Sequence, residues 1–276
     1  MTGRRELLGL AAASAARLKA KAEDDETIWR DYVEWCRRQP ASLSDTRAAY
    51  LERLRGAGMP PAELLRRAAL IERLSGERRD ELLPIFFDRT YSDREPRFNT
   101  LPNVLLVDAV RELKPGRALD IHMGQGRNAV FLASRGWQVT GFDFSAGGVR
   151  AAREAAREAG VKLTALIRRH EEFDFGRQQW DLVVMSYTWV PLRAPYTGRI
   201  LASLKPGGVL VFEHLMDQSG SERAAPWLPR PDELPRIFAR LRILLYEDTW
   251  TQADWSWRPE RIARLVAARS AERPTR

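Results

Sequence analysis

One cysteine in 276 residues, Cys36, leaves no internal disulfide, no disulfide scaffold and no cysteine-based zinc site. It falls in a helical pattern and reads as a small core residue. No apolar run approaches the ~20 residues that span a bilayer, so no stable membrane insertion is expected. Lysine is scarce, standing only at positions 19, 21, 114, 162 and 205, and the positive charge is carried by arginine. Histidine occurs three times, at 122, 170 and 214. The formal net charge of +8 first suggests nucleic acid. Its distribution argues otherwise: residues 1–22 carry net +4, residues 258–276 another +4, and everything between sums to zero. The body is no basic platform, and no nucleic-acid partner is expected.

The first 22 residues are set apart. Arg4-Arg5 precede a mild apolar run from Leu7 to Ala16, and Ala20-Lys-Ala22 has the small-x-small form of a cleavage site. This resembles a twin-arginine export signal; a frayed Ala/Arg-rich helix has the same composition. Residues 24–97 read as a helical cap and substrate lid. In TIWRDYVEWCRR, Ile28, Tyr32, Trp35 and Cys36 share one helical face. Pro40 stops that helix, Ser44-Asp-Thr starts another that ends at Gly56, Pro60-Pro61 opens a third closing near Gly76, and a fourth covers about 80–88.

From 98 to 276 the texture changes. Strands are predicted at 118–121, 138–142, 162–167, 181–186 and 209–214, alternating with helices at 103–113, 127–135, 146–159 and 197–204. That is a parallel sheet with helices on both faces. LRILLYEDTWTQA and RIARLVAA, separated only by Asp254 to Glu260, predict a terminal antiparallel pair at one edge.

In such sheets ligands bind beyond the C-terminal strand ends. There stand Asp120-x-His122-x-Gly124-x-Gly126 after the first strand and Asp143-Phe144-Ser145 after the second. Glycines let the backbone approach a ligand, and an acid at the second position takes both hydroxyls of a ribose. A tight βα turn with Asp143 as a helix cap would use the same letters. Ala129 stands where a dinucleotide fingerprint has a third glycine or alanine, so the fingerprint alone leaves the ligand open.

ALDIHMGQGRNAVFLASRGWQVTGFD, FDFGRQQWDLVVMSY and LKPGGVLVFEH resemble class I S-adenosylmethionine-dependent methyltransferases, in particular small bacterial ones of the tellurite-resistance and ubiquinone-biosynthesis type. The resemblance covers about 98–268. It implies an α/β, doubly wound, Rossmann-like, mostly parallel seven-stranded sheet in the order 3-2-1-4-5-7-6, with a terminal antiparallel strand. It implies S-adenosyl-L-methionine as cofactor, S-adenosyl-L-homocysteine as product, and methyl transfer by in-line displacement. Asp120 and Gly124 would hold the methionine end, with Gly126 a further cofactor-binding residue, Asp143 the ribose, Phe144 a face of adenine, and the loop with His170 and Glu171 its edge. Ser186 and Tyr187 would face the sulfonium and the incoming nucleophile. Two residues depart from the pattern. His122 replaces the first glycine, a position close to the amino-acid part of the cofactor, where an imidazole could clash, turn outward or donate to the carboxylate. Arg169 replaces an aspartate that accepts from the adenine amino group, and arginine cannot accept.

Candidate bases are Tyr187, Glu213 and His214, needed only if the acceptor is protonated. Strand spacing places His122 about 10 Å from His170 and from His214, too far apart for one metal; no metal is expected. Tyr91, Trp189 and Trp227 are candidate walls of a pocket for a small-molecule methyl acceptor. Trp250, Trp255 and Trp257 read as edge packing. The Asn/Asp-Pro-Pro-Tyr motif of base amino methylation is absent; SYTWVP stands in its place. The competing reading is a protein of this fold that binds the cofactor without turnover. Cofactor supply favours the cytoplasm, and the Arg4-Arg5 segment favours export.

Overall fold

The computed structural model describes residues 25–40, 45–92, 98–218, 225–255 and 258–271. Residues 1–22, Ser44 and Trp257 lie outside them, and so do the expectations placed there. The chain divides into two compact units, Met1–Arg89 and Thr90–Arg276.

The first unit is helical. α1, described over 25–37, buries Ile28, Tyr32 and Cys36 at the four-residue spacing of one face. The Asp45 side chain caps α2 (Thr46–Gly56) by accepting from the Ala48 N–H at 2.9 Å. α3 (Pro61–Glu77) starts with proline at its first position, where the missing N–H costs nothing. α4 (Arg79–Tyr91) is longer than the 80–88 expected. Trp29, Tyr50, Ile71 and Leu74 form the core with the α1 face. The Trp29 indole N–H donates to Glu81 at 2.8 Å, so the ring is buried without an orphaned donor.

The second unit is an α/β sheet. Its elements are α5 (Val104–Ala109), β1 (Arg117–Ile121), α6 (Arg127–Ser134), β2 (Gln138–Asp143), α7 (Ala146–Glu158), β3 (Leu163–Ile167), β4 (Trp180–Ser186), α8 (Tyr196–Ser203), β5 (Leu204–Leu215), α9 (Glu233–Ile237), β6 (Arg242–Gln252) and β7 (Pro259–Ala268). The strand order is β3-β2-β1-β4-β5-β7-β6, as the resemblance implied. β7 runs antiparallel to both neighbours. Side chains alternate across the sheet. Leu119, Ile121, Val183, Met185, Leu210 and Phe212 pack on one face, and Ala118, Leu182, Val184, Val209 and Val211 on the other. Burial on both faces is why these strands read as continuous apolar runs. Each large core side chain contributes about 1.5–3 kcal/mol.

Three elements differ from expectation. The helix expected at 103–113 is only α5, with Asn103 as its cap. β5 begins at Leu204, before the expected start at 209, because Leu204 already pairs with Trp180. α9 carries no long apolar period and was not expected.

Candidate active site

The strand order reverses between β1 and β4, so the loops leaving these neighbours part and open a crevice. Two residues at this point, His122 (φ 52°) and Tyr187 (φ 54°), hold left-handed backbone conformations. Such strain persists only where the surroundings enforce it.

In the loop after β1, Gly124 has φ +54°, and a methyl group there would overlap the Tyr91 hydroxyl. Its N–H donates to Asp143 at 2.9 Å, while the other Asp143 oxygen accepts from the Ser145 N–H at 2.8 Å. Asp143 is thereby held between the loops after β1 and β2. Gly126 serves packing: a Cβ would stand 2.7 Å from that of Ala152, so α6 could not approach α7. Asp120 is buried, and its Oδ2 has no hydrogen-bond partner among the described residues. Burial pushes its carboxyl up to about 7; Arg127 pulls it down and Asp143 adds to the rise. Burial, reinforced by Asp143 and Asp120, also pushes the Tyr91 phenol up.

The His122 ring lies among aromatic side chains, with centroids 5.2 Å from Phe144, 5.3 Å from His170 and 5.7 Å from Phe142. It is directed to these rings and to the loop after β4. The expected 10 Å from His170 is corrected to this 5.3 Å. Strand spacing fixes backbones, whereas both rings lean over the end of β2. Burial holds His122 well below the usual imidazole range, and the charges at His170 and Arg169 add to this. Burial likewise lowers His170. His170 Nε2 stands 3.2 Å from Glu171 without hydrogen-bond alignment. Arg169 reaches Glu171 only at 3.9 Å.

Beyond β4, the Trp189 N–H donates to His122 Nδ1 at 3.1 Å, and the Thr188 carbonyl lies 2.9 Å from His214 Nε2. One peptide group is thus held by two histidines from different strands. Trp189 packs on Trp227, ring centroids 4.7 Å apart. His214 is buried, and its Nδ1 faces the Leu215 carbonyl at 3.1 Å. Burial lowers it to about 4 against the opposing pull of both carbonyls. Ser186 Oγ and Thr188 Oγ1 are buried without partners among the described residues.

Glu213 belongs to a buried network that sequence reading missed. It accepts from the Tyr187 hydroxyl (2.8 Å), Asn103 (2.7 Å) and Arg264 (2.7 Å). Asn103 also donates to Asp254 at 2.7 Å, and Asp254 accepts from Arg127 at 2.8 Å. Burial and Glu213 together raise the Tyr187 phenol. Asn103 had a sequence signal, a cap residue before an apolar run. Arg264 had another, a charge inside an apolar strand. Asp254 had none. Trp255 is corrected from edge packing: its ring stands 5.3 Å from Phe98 and 6.0 Å from Tyr187, in a row that continues from Phe98 to Tyr91 at 5.7 Å. Its indole N–H is buried and has no partner among the described residues. Among the described residues no three His, Cys, Asp or Glu side chains could hold a metal.

These residues fit a ligand with an ammonium group, a ribose and a flat base. Asp120 offers a buried acceptor beside a glycine with no Cβ to intrude. Asp143 is fixed at the end of the second strand, and Phe144 presents a ring next to it.

A methyltransferase-domain family model matches residues 118–208. The ribosomal RNA small subunit methyltransferase C of Alcanivorax borkumensis is 36% identical over 104 residues, covering 35% of this chain and 31% of that protein. The ubiquinone biosynthesis O-methyltransferase of a Bradyrhizobium species is 29% identical over 153 residues, 48% of this chain and 60% of that one. The chain thus spans less than two thirds of either relative. TehB from Haemophilus influenzae superposes with a TM-score of 0.54 at 17% identity, over 67% of this chain and 66% of its own, a likeness of fold. Domain match and sheet order agree: residues 118–208 match a methyltransferase domain, and the second unit has the class I methyltransferase type of fold.

Proposed function

We propose that this protein transfers a methyl group from S-adenosyl-L-methionine to a small-molecule acceptor by in-line displacement, leaving S-adenosyl-L-homocysteine. The observation that carries this reading is the buried, unpartnered Asp120 oxygen beside left-handed Gly124, with Asp143 locked across the next loop. Asp120 and the Tyr91 hydroxyl would take the ammonium and carboxylate of the methionine end. Asp143 would take the ribose, and Phe144, His170 and Glu171 the adenine. When bound, the cofactor supplies a sulfonium methyl whose sulfur leaves neutral.

The protein's part is to align the acceptor and exclude water. Tyr91, Phe98, Tyr187 and Trp255 form one aromatic row near this end of the crevice, and Trp189 with Trp227 forms a pair at the loop after β4. Tyr187, Glu213 and His214 are each committed to partners inside the protein. This supports an acceptor that ionises by itself or attacks as a neutral soft nucleophile. The neutral body supports a small molecule over a nucleic acid. No helix of the described residues is long and apolar enough to cross a membrane.

The same commitment of Tyr187, Glu213 and His214 favours the second reading, cofactor binding without turnover. Calorimetry with S-adenosylhomocysteine, followed by methyl-labelled cofactor with a panel of thiol, phenol and amine acceptors, separates the two. Binding with label transfer supports the enzyme, binding without transfer to any acceptor supports the second reading, and no binding sinks both.

A further inference from the structure

His122 stands in the cofactor loop with a left-handed backbone, φ 52°, which its Cβ disfavours. A residue held there against its backbone preference is held by its surroundings. One of those constraints is chemical. Nδ1 accepts the Trp189 N–H, so in the neutral ring the proton sits on Nε2. Burial keeps the ring neutral. That Nε2–H is buried and has no acceptor among the described residues. A buried donor of fixed tautomer without a partner is the exception in folded proteins and needs a reason.

Neighbouring residues limit what the reason is. Phe144 and His170 stand 5.2 and 5.3 Å from the ring, and Phe142 is 5.7 Å away, so the surroundings are flat and aromatic. Within the described residues no third ligand joins the two imidazoles, which argues against a metal. Arg169 and Arg199 are the cations acting on the His170 ring, and Glu171 is its anion. A cationic ligand group has no acceptor to gain at His122, whereas a flat heterocycle with lone-pair nitrogens complements both the rings and the N–H.

The resemblance implied that His122 lies by the amino-acid part of the cofactor, but its ring stands with Phe144 and His170 instead. We infer that His122 is a specificity residue for the base of the bound nucleoside, donating from Nε2 to a purine ring nitrogen. This rests on the proposed cofactor reading and adds to it a contact that a glycine at this position could not make. The two side chains at the adenine end then divide the work: Phe144 lies against the base, and His122 reads one edge atom. The loop after β4 shares in it, because the Trp189 peptide orients the imidazole.

The test is calorimetry on the full chain with S-adenosylhomocysteine and its 1-deaza, 3-deaza and 7-deaza analogues. Wild type is compared with His122→Phe, which keeps the ring and loses the donor, and with His122→Gly. We expect His122→Phe to weaken S-adenosylhomocysteine about tenfold. One deaza analogue should lose a similar factor on wild type and nothing more on His122→Phe. Equal affinity of wild type and His122→Phe, with analogue losses the same on both, overturns the inference and leaves the cofactor reading standing. Tighter binding by His122→Gly overturns it too, because the ring would then obstruct the base. Absence of binding to wild type overturns both. Imidazole 15N spectra of the wild type give a readout independent of variant folding. A protonated Nε2 whose resonance moves on saturation supports the contact, and an unmoved resonance refutes it.

Discussion

His122 and His214, one at the end of β1 and one near the end of β5, hold the same peptide group, Thr188–Trp189. His122 Nδ1 accepts its N–H at 3.1 Å, and His214 Nε2 lies 2.9 Å from its carbonyl. The loop between them starts at Tyr187, with φ 54°, and carries Trp189 against Trp227. The clamp fixes the crevice wall, and its His122 half depends on a neutral ring, because Nδ1 must stay unprotonated to accept.

Burial of the two rings gives an acid limit. The His214 pKa falls from 6.5 to about 4 on folding because of burial. The unfolded chain therefore binds the proton more tightly, and stability drops as pH falls from 6.5 towards 4. The loss is on the order of 3 kcal/mol from His214, and the lowered His122 adds in the same direction. Urea titrations at pH 7.5, 6, 5 and 4 should show this slope, flattened in His214→Gln. A pH-independent midpoint would refute it.

Asp120 gives the opposite slope. Its folded pKa of about 7 exceeds the ordinary 3.8, so its stabilising contribution is fully present below 3.8 and is lost as pH rises through 7. Asp120→Asn should stabilise the protein by on the order of 4 kcal/mol at pH 8 and by less at pH 5. The same variant should weaken S-adenosylmethionine, having lost the acceptor proposed for its ammonium. Denaturation and calorimetry on one preparation check both signs.

Gly124→Ala should be costly through two separate effects. The left-handed φ strains any Cβ by about 1–2 kcal/mol, and the added methyl overlaps the Tyr91 hydroxyl. Tyr91→Ala in the same chain should remove the overlap and leave the strain. The double variant is then less destabilised than the sum of the singles, as a thermal-denaturation double-mutant cycle would show.

Glu213 and Arg264 are directly paired across the β5–β7 ladder, and their side chains meet at 2.7 Å. Arg264→Met leaves the Glu213 carboxylate buried without its cation and should cost about 3–5 kcal/mol. Glu213→Gln with Arg264→Met should recover part of that loss. Equilibrium unfolding of the two singles and the double measures the coupling.

Much of this molecule could be read from its letters. Continuous apolar runs at 118–121 and 181–186 announced strands covered on both faces, since only two-sided burial removes the polar alternation. Asp120, Gly124 and Asp143 were legible because their spacing follows from how a strand, turn and helix must connect. The terminal antiparallel pair followed from the shortness of its connection. These are local constraints, in which backbone geometry acts within a few dozen residues.

Tertiary structure decided the rest. No spacing rule brings Asn103, Glu213 and Asp254 to one hydrogen-bond centre, because the sheet order joins segments more than a hundred residues apart. Nothing in the sequence told the His122 ring which way to turn. Its direction came from the Trp189 N–H and the rings of Phe144 and His170, which meet only when β1, β2, β3 and β4 stand side by side. Sequence determined which groups would stand at the strand ends, through local backbone periodicity. The packed sheet decided which of them touch, because side-chain direction and burial depend on neighbours the chain reaches only after it folds.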